Sequence, residues 1–124
     1  MPTWNEYLKG ILKKILDSHS KLLQLKDNPG DLVIISKELL KIRGFFKVVT
    51  TKLESENFQS SNLSELKLKL KEYLETYYFE KELETMALLY SEDSNRIRNM
   101  RLKILESLED KKLINRIQNV LDDL

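Results

Sequence analysis

Cysteine is absent from the 124 residues of this chain, and glycine and proline are scarce, at three and two residues. Without a thiol, the chain cannot form disulfides, zinc–thiolate sites, iron–sulfur clusters or a cysteine nucleophile. Scarce glycine and proline, together with abundant leucine, lysine and glutamate, indicate helices throughout. The length is that of one domain, so we expect a single helical domain spanning residues 1–124.

Long apolar runs and an excess of one charge are also absent. No window approaches the ~20 apolar residues that a membrane-spanning helix needs. The opening residues, MPTWNEYLKG, lack the apolar stretch of a signal peptide. We therefore expect a soluble, cytoplasmic protein without a membrane partner. The 21 basic residues nearly balance the 20 acidic ones, so nucleic-acid binding would require local clustering of positive charge.

Side chains suited to catalysis are few. His19 is the only histidine, and no Walker loop or Gly-x-Gly-x-x-Gly motif occurs. Because His19 lies in the apolar stripe of the first helix, we expect an interior histidine rather than a pH-sensitive switch. The acidic groups at 80–84 and 106–110 could supply magnesium ligands, but an exposed acidic edge is the preferred interpretation. We expect no enzymatic activity, no cofactor and no metal site.

Apolar residues recur at helical spacing in two segments before residue 57. The first segment opens on a capping box formed by Thr3 and Glu6 and ends near Lys26, ahead of a turn at 27–30. The second begins at Asp31 and runs to about residue 56. Its apolar residues alternate steps of three and four without interruption, which indicates a coiled-coil-like core face: Leu32, Ile35, Leu39, Ile42, Phe46, Val49 and Leu53.

Two further helical segments follow a polar loop at 57–61. The third is predicted to run from about residue 62 to Tyr90, and the fourth from about residue 94 to the last residue. The apolar periodicity of the fourth segment is interrupted near Glu109, so this segment forms either one helix or two. Near-equal helices joined by short turns predict an all-α, antiparallel bundle of four long helices.

The predicted third helix changes its apolar side at Tyr78. Its earlier apolar residues lie on one side of a helical wheel, whereas Phe79, Leu83, Met86 and Tyr90 lie nearly opposite. Three arrangements resolve the conflict. The helix breaks near Tyr78 so that both halves face one core, or it lies centrally and is covered on both sides, or one half is exposed and binds a partner.

The second helix carries another apolar strip opposite its core face. A bundle helix needs only one such face, so this strip is buried by another helix of the chain or is offered to a partner. Exposed apolar and aromatic surface is typical of binding sites. We therefore predict a non-enzymatic protein–protein interaction module (adaptor, chaperone-like or assembly subunit) that binds a partner helix or a second copy of itself through Ile34, Phe45, Val48, Tyr78, Phe79, Leu83, Met86 and Tyr90.

An alternative hypothesis starts from the basic residues of the fourth segment. Arg101 lies within the apolar arc of this helix, so it must extend to solvent, pair with a buried carboxylate, or face a partner. As a small subunit of a nucleic-acid-handling complex, the chain would contact phosphates through Arg96, Arg98, Arg101 and Lys103, with Lys37 and Lys41 as additional contacts.

Overall fold

All regular structure in the described residues of the computed structural model, 3–55 and 61–124, is helical. The predicted end of the second helix near residue 56 and nearly all of the following loop lie outside these ranges. A short 3-10 helix, Asp110–Lys112, precedes the last of the α-helices. The α-helices within the described residues are α1 Trp4–Gln24, α2 Asp31–Ser55, α3 Ser61–Thr76, α4 Glu80–Leu89, α5 Ser94–Glu109 and α6 Leu113–Asp123.

The first two helices follow the sequence pattern closely. The Thr3 side chain accepts a hydrogen bond from the Glu6 backbone, and the Glu6 carboxylate accepts one from the Thr3 backbone. This confirms the predicted capping box at the start of α1. Every residue of the coiled-coil-like face of α2 is buried, and Ile35, Ile42 and Phe46 are completely inaccessible to solvent. These side chains form the centre of the core.

The predicted third helix is wrong as one continuous element. It ends at Thr76, and a new helix, α4, begins at Glu80. The break falls at the residue where the apolar face changes side. Because the chain is interrupted there, Tyr73 of α3 and Phe79 at the start of α4 are both buried in the same core. Of the three arrangements considered, the structure adopts the break.

The fourth predicted helix is divided as well. Between α5 and α6, Lys111 and Lys112 both have left-handed backbones, with φ of 54° and 58°. Non-glycine residues seldom adopt this conformation because the Cβ atom crowds the following carbonyl oxygen. The turn lets α6 pack against both α1 and α3. The loss of periodicity near Glu109 therefore marks a real helix end.

Helix α2 is the central element of the packing. It contacts α1, α3, α4 and α5, whereas α4 makes its principal tertiary contacts with α2. Helix α4 is also short, at 10 residues. An element with few packing partners has a low local free energy of opening. The structure thus places a weakly packed helix beside the most heavily packed one.

Candidate protein-interaction site

The connector between α3 and α4 is held in place by an arginine from α2. The guanidinium of Arg43 donates a hydrogen bond to the Tyr77 carbonyl oxygen at 2.6 Å. Its carbon Cζ also lies 5.7 Å from the centre of the Tyr78 ring. The last carbonyl groups of a helix lack partners within the helix, so Arg43 supplies one where α3 stops. The position of α4 therefore depends on α2.

Burial of Phe79, Leu83 and Met86 corrects part of the predicted partner surface. Their side chains are 3%, 7% and 8% exposed and belong to the core. They do not form an exposed strip, because the break before α4 turns them inward. Tyr90 is half-buried, and only Tyr78, at 60%, is well exposed. These residues therefore do not form one exposed strip, and their role in binding a partner stays a prediction.

The other predicted strip lies on the outer side of α2. Ile34 and Val48 are 39% and 37% exposed, while Phe45 is half-buried against the core. The strip is thus partly covered by this chain, and its role in binding a partner stays a prediction.

A groove of about 300 Å³ lies between α2 and α4. Leu39 and Leu83 close its base, and Leu40 and Ala87 line its open sides. Charged and polar side chains complete the lining: Ser36, Arg43, Glu80 and Glu84. The groove is predominantly apolar with a small number of polar groups, which is the usual character of binding sites.

The most exposed large apolar side chains lie on the two helices that form this groove or in the connector before α4. Among the described residues, the five with the greatest exposure all lie on α2 or in the segment from Tyr78 to Leu89. Single exposed apolar residues are common on soluble proteins. Their concentration on two helices that pack together is the unusual feature. In order of exposure they are Leu88 at 83%, Val33 at 73%, Leu89 at 68%, Tyr78 at 60% and Leu40 at 59%.

Sequence reasoning missed the contribution of Val33, Leu40 and Leu88. All three fall outside both the core face of α2 and the predicted strips. Arg43 was missed too, although it lies at the edge of the core face of α2, beside Leu39 on a helical wheel. A buried arginine at such a position needs an acceptor, and that requirement is the signal that could have singled it out.

Arg101 pairs with a carboxylate of the same chain. It donates two hydrogen bonds to Asp27, at 2.7 and 3.1 Å, and a third to the Leu22 carbonyl oxygen at 3.2 Å. The bond to Asp27 raises the pKa of Arg101. Asp27 itself has a left-handed backbone, with φ of 63°. Arg101 therefore holds the turn between α1 and α2 and is occupied within the fold.

The remaining members of the basic cluster differ in their surroundings. Lys103 donates to both carboxylate oxygens of Glu82, at 2.9 and 3.0 Å. Arg96 pairs with Asp93 at 3.4 Å. Arg98 is exposed and has no ion pair with another described residue. The predicted cluster therefore does not form one free basic surface.

A second cleft, on the other side of α4, unites residues from both predicted sites. It has a volume of about 480 Å³ and lies between α4 and α5. Met86 and Tyr90 come from the predicted partner strip, whereas Arg96 and Lys103 come from the basic cluster. Sequence reasoning treated the two groups separately because the turn that brings them together follows the end of α4.

A carboxylate, Glu38, is buried between α1 and α2. Burial by itself would raise its pKa, but the Ser18 hydroxyl and the ammonium groups of Lys21 and Lys41 outweigh this effect and lower the pKa. One oxygen lies 3.6 Å from the Lys21 ammonium and 3.4 Å from that of Lys41. The group remains charged at neutral pH and joins the two helices.

His19 is buried as predicted for an interior histidine, at 9% exposure. Its Nε2 atom is buried and has no hydrogen-bond partner among the described residues. Burial lowers the pKa of His19, and the nearby carboxylate of Glu109 raises it to a smaller extent. The ring is therefore neutral in the folded protein at pH 7.

The acidic groups considered for magnesium lie at the surface. Glu106, Glu109 and Asp110 line one groove together with Lys103. Within the described ranges, no three histidine, aspartate or glutamate side chains are arranged so that they could hold a metal ion. These groups therefore add no candidate centre to the two clefts beside α4.

Comparison with known proteins adds no relative. No protein-family model matches the chain, and neither a curated protein nor a solved structure matches it significantly. Across residues 3–55 and 61–124, none of the helices combines the length and apolar character needed to cross a bilayer. A functional proposal must therefore rest on the geometry of the two clefts beside α4.

Proposed function

We propose that the chain is a non-enzymatic protein–protein interaction module that receives a partner helix in the groove between α2 and α4. One observation carries the proposal: the five most exposed large apolar side chains among the described residues lie on the two helices that form this groove or in the connector before α4, and one of them, Leu40, lines the groove. A partner that covers Leu40, which lines the groove, would remove apolar surface from water, which is the principal driving force of such association. An adaptor, a chaperone-like protein or an assembly subunit fits this description.

A helix is the partner element that suits the groove best. Two parallel walls formed by helices accept the apolar face of a third helix, whose residues at i, i+3, i+4 and i+7 enter between them. The proposal also includes the predicted antiparallel arrangement of the long helices, because this arrangement places α4 beside the first half of α2. It also keeps a cytoplasmic location, which the absence of cysteine favours.

Nucleic-acid binding is the less favoured function. Contacts with phosphates require cations that are free to release counterions. Arg101 is held by Asp27, Lys103 by Glu82 and Arg96 by Asp93. Arg101 is committed to a largely buried pair, so the predicted cluster loses one of its cations, and only the exposed pairs of Arg96 and Lys103 could exchange their carboxylate for a phosphate. We therefore carry forward the protein-binding proposal alone.

A charged substitution in the groove tests the proposal. Leu40→Glu places a carboxylate on an exposed position of the groove wall, so the fold is kept and association is weakened. Leu68→Glu is the matched control, because Leu68 is a similarly exposed leucine, at 53%, on α3. Light scattering over a wide concentration range measures self-association. We expect any dimer to be lost in Leu40→Glu and kept in Leu68→Glu.

A photo-crosslinking residue covers the case of a different partner. Benzoylphenylalanine is placed at position 40 or at position 68, and the products formed in cells are identified by mass spectrometry. One protein crosslinked from position 40 and not from position 68 would support the groove. Identical products from both positions, with no difference in self-association between the two glutamate variants, would refute it.

A further inference from the structure

The cleft between α4 and α5 combines an apolar floor with a charged rim. Met86 and Met100 are 8% and 4% exposed and form the floor with the half-buried ring of Tyr90. Methionine side chains adapt their shape to different apolar groups. The volume, about 480 Å³, is within the range of sites that bind small ligands. It accommodates one large side chain with its neighbours rather than a whole helix.

The rim of this cleft is positively charged. Lys81, Arg96 and Lys103 line it, and Glu82 is the one carboxylate in the lining. Glu82 is engaged by Lys103 and Asp93 by Arg96, so the three cations of the rim face two carboxylates and keep an excess of one positive charge. The whole chain carries a net charge of only +1. The rim therefore carries a local excess of positive charge, which suits an anionic ligand.

Arg96 is arranged to meet an anion at the edge of the apolar floor. Its Cζ atom lies 3.7 Å from the centre of the Tyr90 ring, so the guanidinium rests on an aromatic face. Its ion pair with Asp93 is at 3.4 Å and is well exposed. An exposed pair of this kind contributes little free energy. The guanidinium is thus already positioned and can exchange Asp93 for a carboxylate of a ligand.

We propose that this cleft binds an acidic peptide segment that carries a large apolar side chain beside its carboxylates. The apolar side chain lies on Met86, Met100 and Tyr90, and the carboxylates pair with Arg96 and Lys81. The choice of a peptide rests on the proposed function, since a partner held in the groove on one side of α4 can extend an acidic segment to the other side. Two adjoining sites on one helix raise the overall affinity through effective concentration.

The test uses three short peptides and the methyl resonances of Met86 and Met100. N-acetyl-Phe-Glu-Glu-amide is titrated into the intact protein and is compared with the corresponding Phe-Lys-Lys and Gly-Glu-Glu peptides. We expect saturable shifts of both methyl groups with Phe-Glu-Glu alone, weakened by added salt. No saturable shift, or equal shifts with either comparison peptide, would overturn the proposal.

Variants of the rim complete the test. Arg96→Gln and Lys81→Gln should each weaken binding of Phe-Glu-Glu by about twofold to fivefold, as expected for exposed charge pairs. Arg98→Gln is the matched control, because Arg98 is two residues from Arg96 and does not line the cleft. Equal affinities in all three variants would contradict the assignment. Leu40→Glu should leave this titration unchanged, so failure here is distinguishable from failure of the α2–α4 groove.

Discussion

The hydroxyl of Tyr77 donates a hydrogen bond of 2.7 Å to the Asp110 carboxylate, and this bond links the two interruptions of the fold. Tyr77 follows α3, where the chain breaks before α4, and Asp110 begins the 3-10 helix between α5 and α6. The bond to Asp110 raises the pKa of the Tyr77 hydroxyl. Arg43 holds the carbonyl oxygen of the same tyrosine. Tyr77 therefore fixes the connector from two sides.

Loss of the Tyr77 hydroxyl should destabilise the protein measurably. Tyr77→Phe removes the bond to Asp110, and we expect the free energy of unfolding to fall by ~1 kcal/mol, the usual net value for one hydrogen bond. Urea denaturation measures the change. In a double-mutant cycle, Asp110→Asn should add little to Tyr77→Phe, because both variants remove the same interaction.

Tyr78→Phe is the control for that experiment. Its hydroxyl makes an equally short bond, 2.8 Å, to Glu80. Tyr78 is exposed, however, and Glu80 is only two residues away, so we expect a much smaller change than in Tyr77→Phe. Equal losses in Tyr77→Phe and Tyr78→Phe would contradict the role of Tyr77 in joining the two interruptions.

Because of the break before α4, truncation of two adjacent aromatic residues should change the free energy of unfolding by very different amounts. Phe79 is 3% exposed and Tyr78 is 60% exposed. Phe79→Ala should lower the free energy of unfolding by ~3–5 kcal/mol, because it leaves a cavity in the core. Tyr78→Ala should lower it by less than ~1 kcal/mol. Thermal and urea denaturation provide the measurement, and comparable losses would show that the helix does not turn inward at Phe79.

The ion pair of Arg101 and Asp27 should stabilise the fold more than a surface ion pair does. The two side chains are 13% and 12% exposed. Fully exposed ion pairs contribute ~0.2–1 kcal/mol, whereas breaking a fully buried pair costs ~3–5 kcal/mol. We expect a coupling energy of ~2 kcal/mol from a cycle with Arg101→Met and Asp27→Asn. The pair of Lys103 and Glu82, at 55% and 48% exposure, is the control. Equal coupling energies in the two cycles would refute the prediction.

Stability should fall in mild acid because of His19. Burial lowers its pKa in the folded protein below the ordinary value of 6.5, so the unfolded chain binds a proton first as the pH decreases. The resulting loss of stability begins near pH 6.5, continues down to the lowered pKa, and has a limiting slope of ~1.4 kcal/mol per pH unit. Urea denaturation between pH 7.5 and 5.5 should show this loss in the wild type.

His19→Gln is the comparison for the pH experiment. Glutamine has no proton to gain in this range, so the variant should lose less stability than the wild type between pH 7.5 and 5.5. The buried Glu38 has a lowered pKa and contributes to acid sensitivity only at lower pH. Identical pH profiles for the wild type and His19→Gln would exclude His19 as the source of the loss.

Local patterns predicted much of this fold. The capping box of Thr3 and Glu6 and the core face of α2 depend on residues close in sequence, and both are confirmed. The change of apolar side at Tyr78 was also visible. Its resolution was not, because the Tyr77 carbonyl is held by Arg43, 34 residues away. Periodicity shows where the apolar face of a helix changes side, but tertiary contacts determine whether the helix breaks there.

The candidate sites were predictable to a smaller extent. An acidic partner for Arg101 was among the alternatives, but Asp27 lies 74 residues away along the chain and could not be named. The sequence predicted a helix end at Tyr90 and a new helix near residue 94, but not how the two helices pack to form the cleft beside Met86 and Arg96. Exposure of Leu40 and Leu88 likewise depends on which neighbours cover each helix. Sites formed by several elements need the packed structure.

The packing of α6 against α1 has a consequence for the order of folding. These helices are the last and the first along the described chain, and their contacts join residues separated by at least 89 positions. Bringing such distant segments together has a high loop-closure entropy, and contacts of this kind slow folding. We expect α2 to associate with α1 and α3 early, and α6 to dock late, once the two left-handed lysines have reversed the chain.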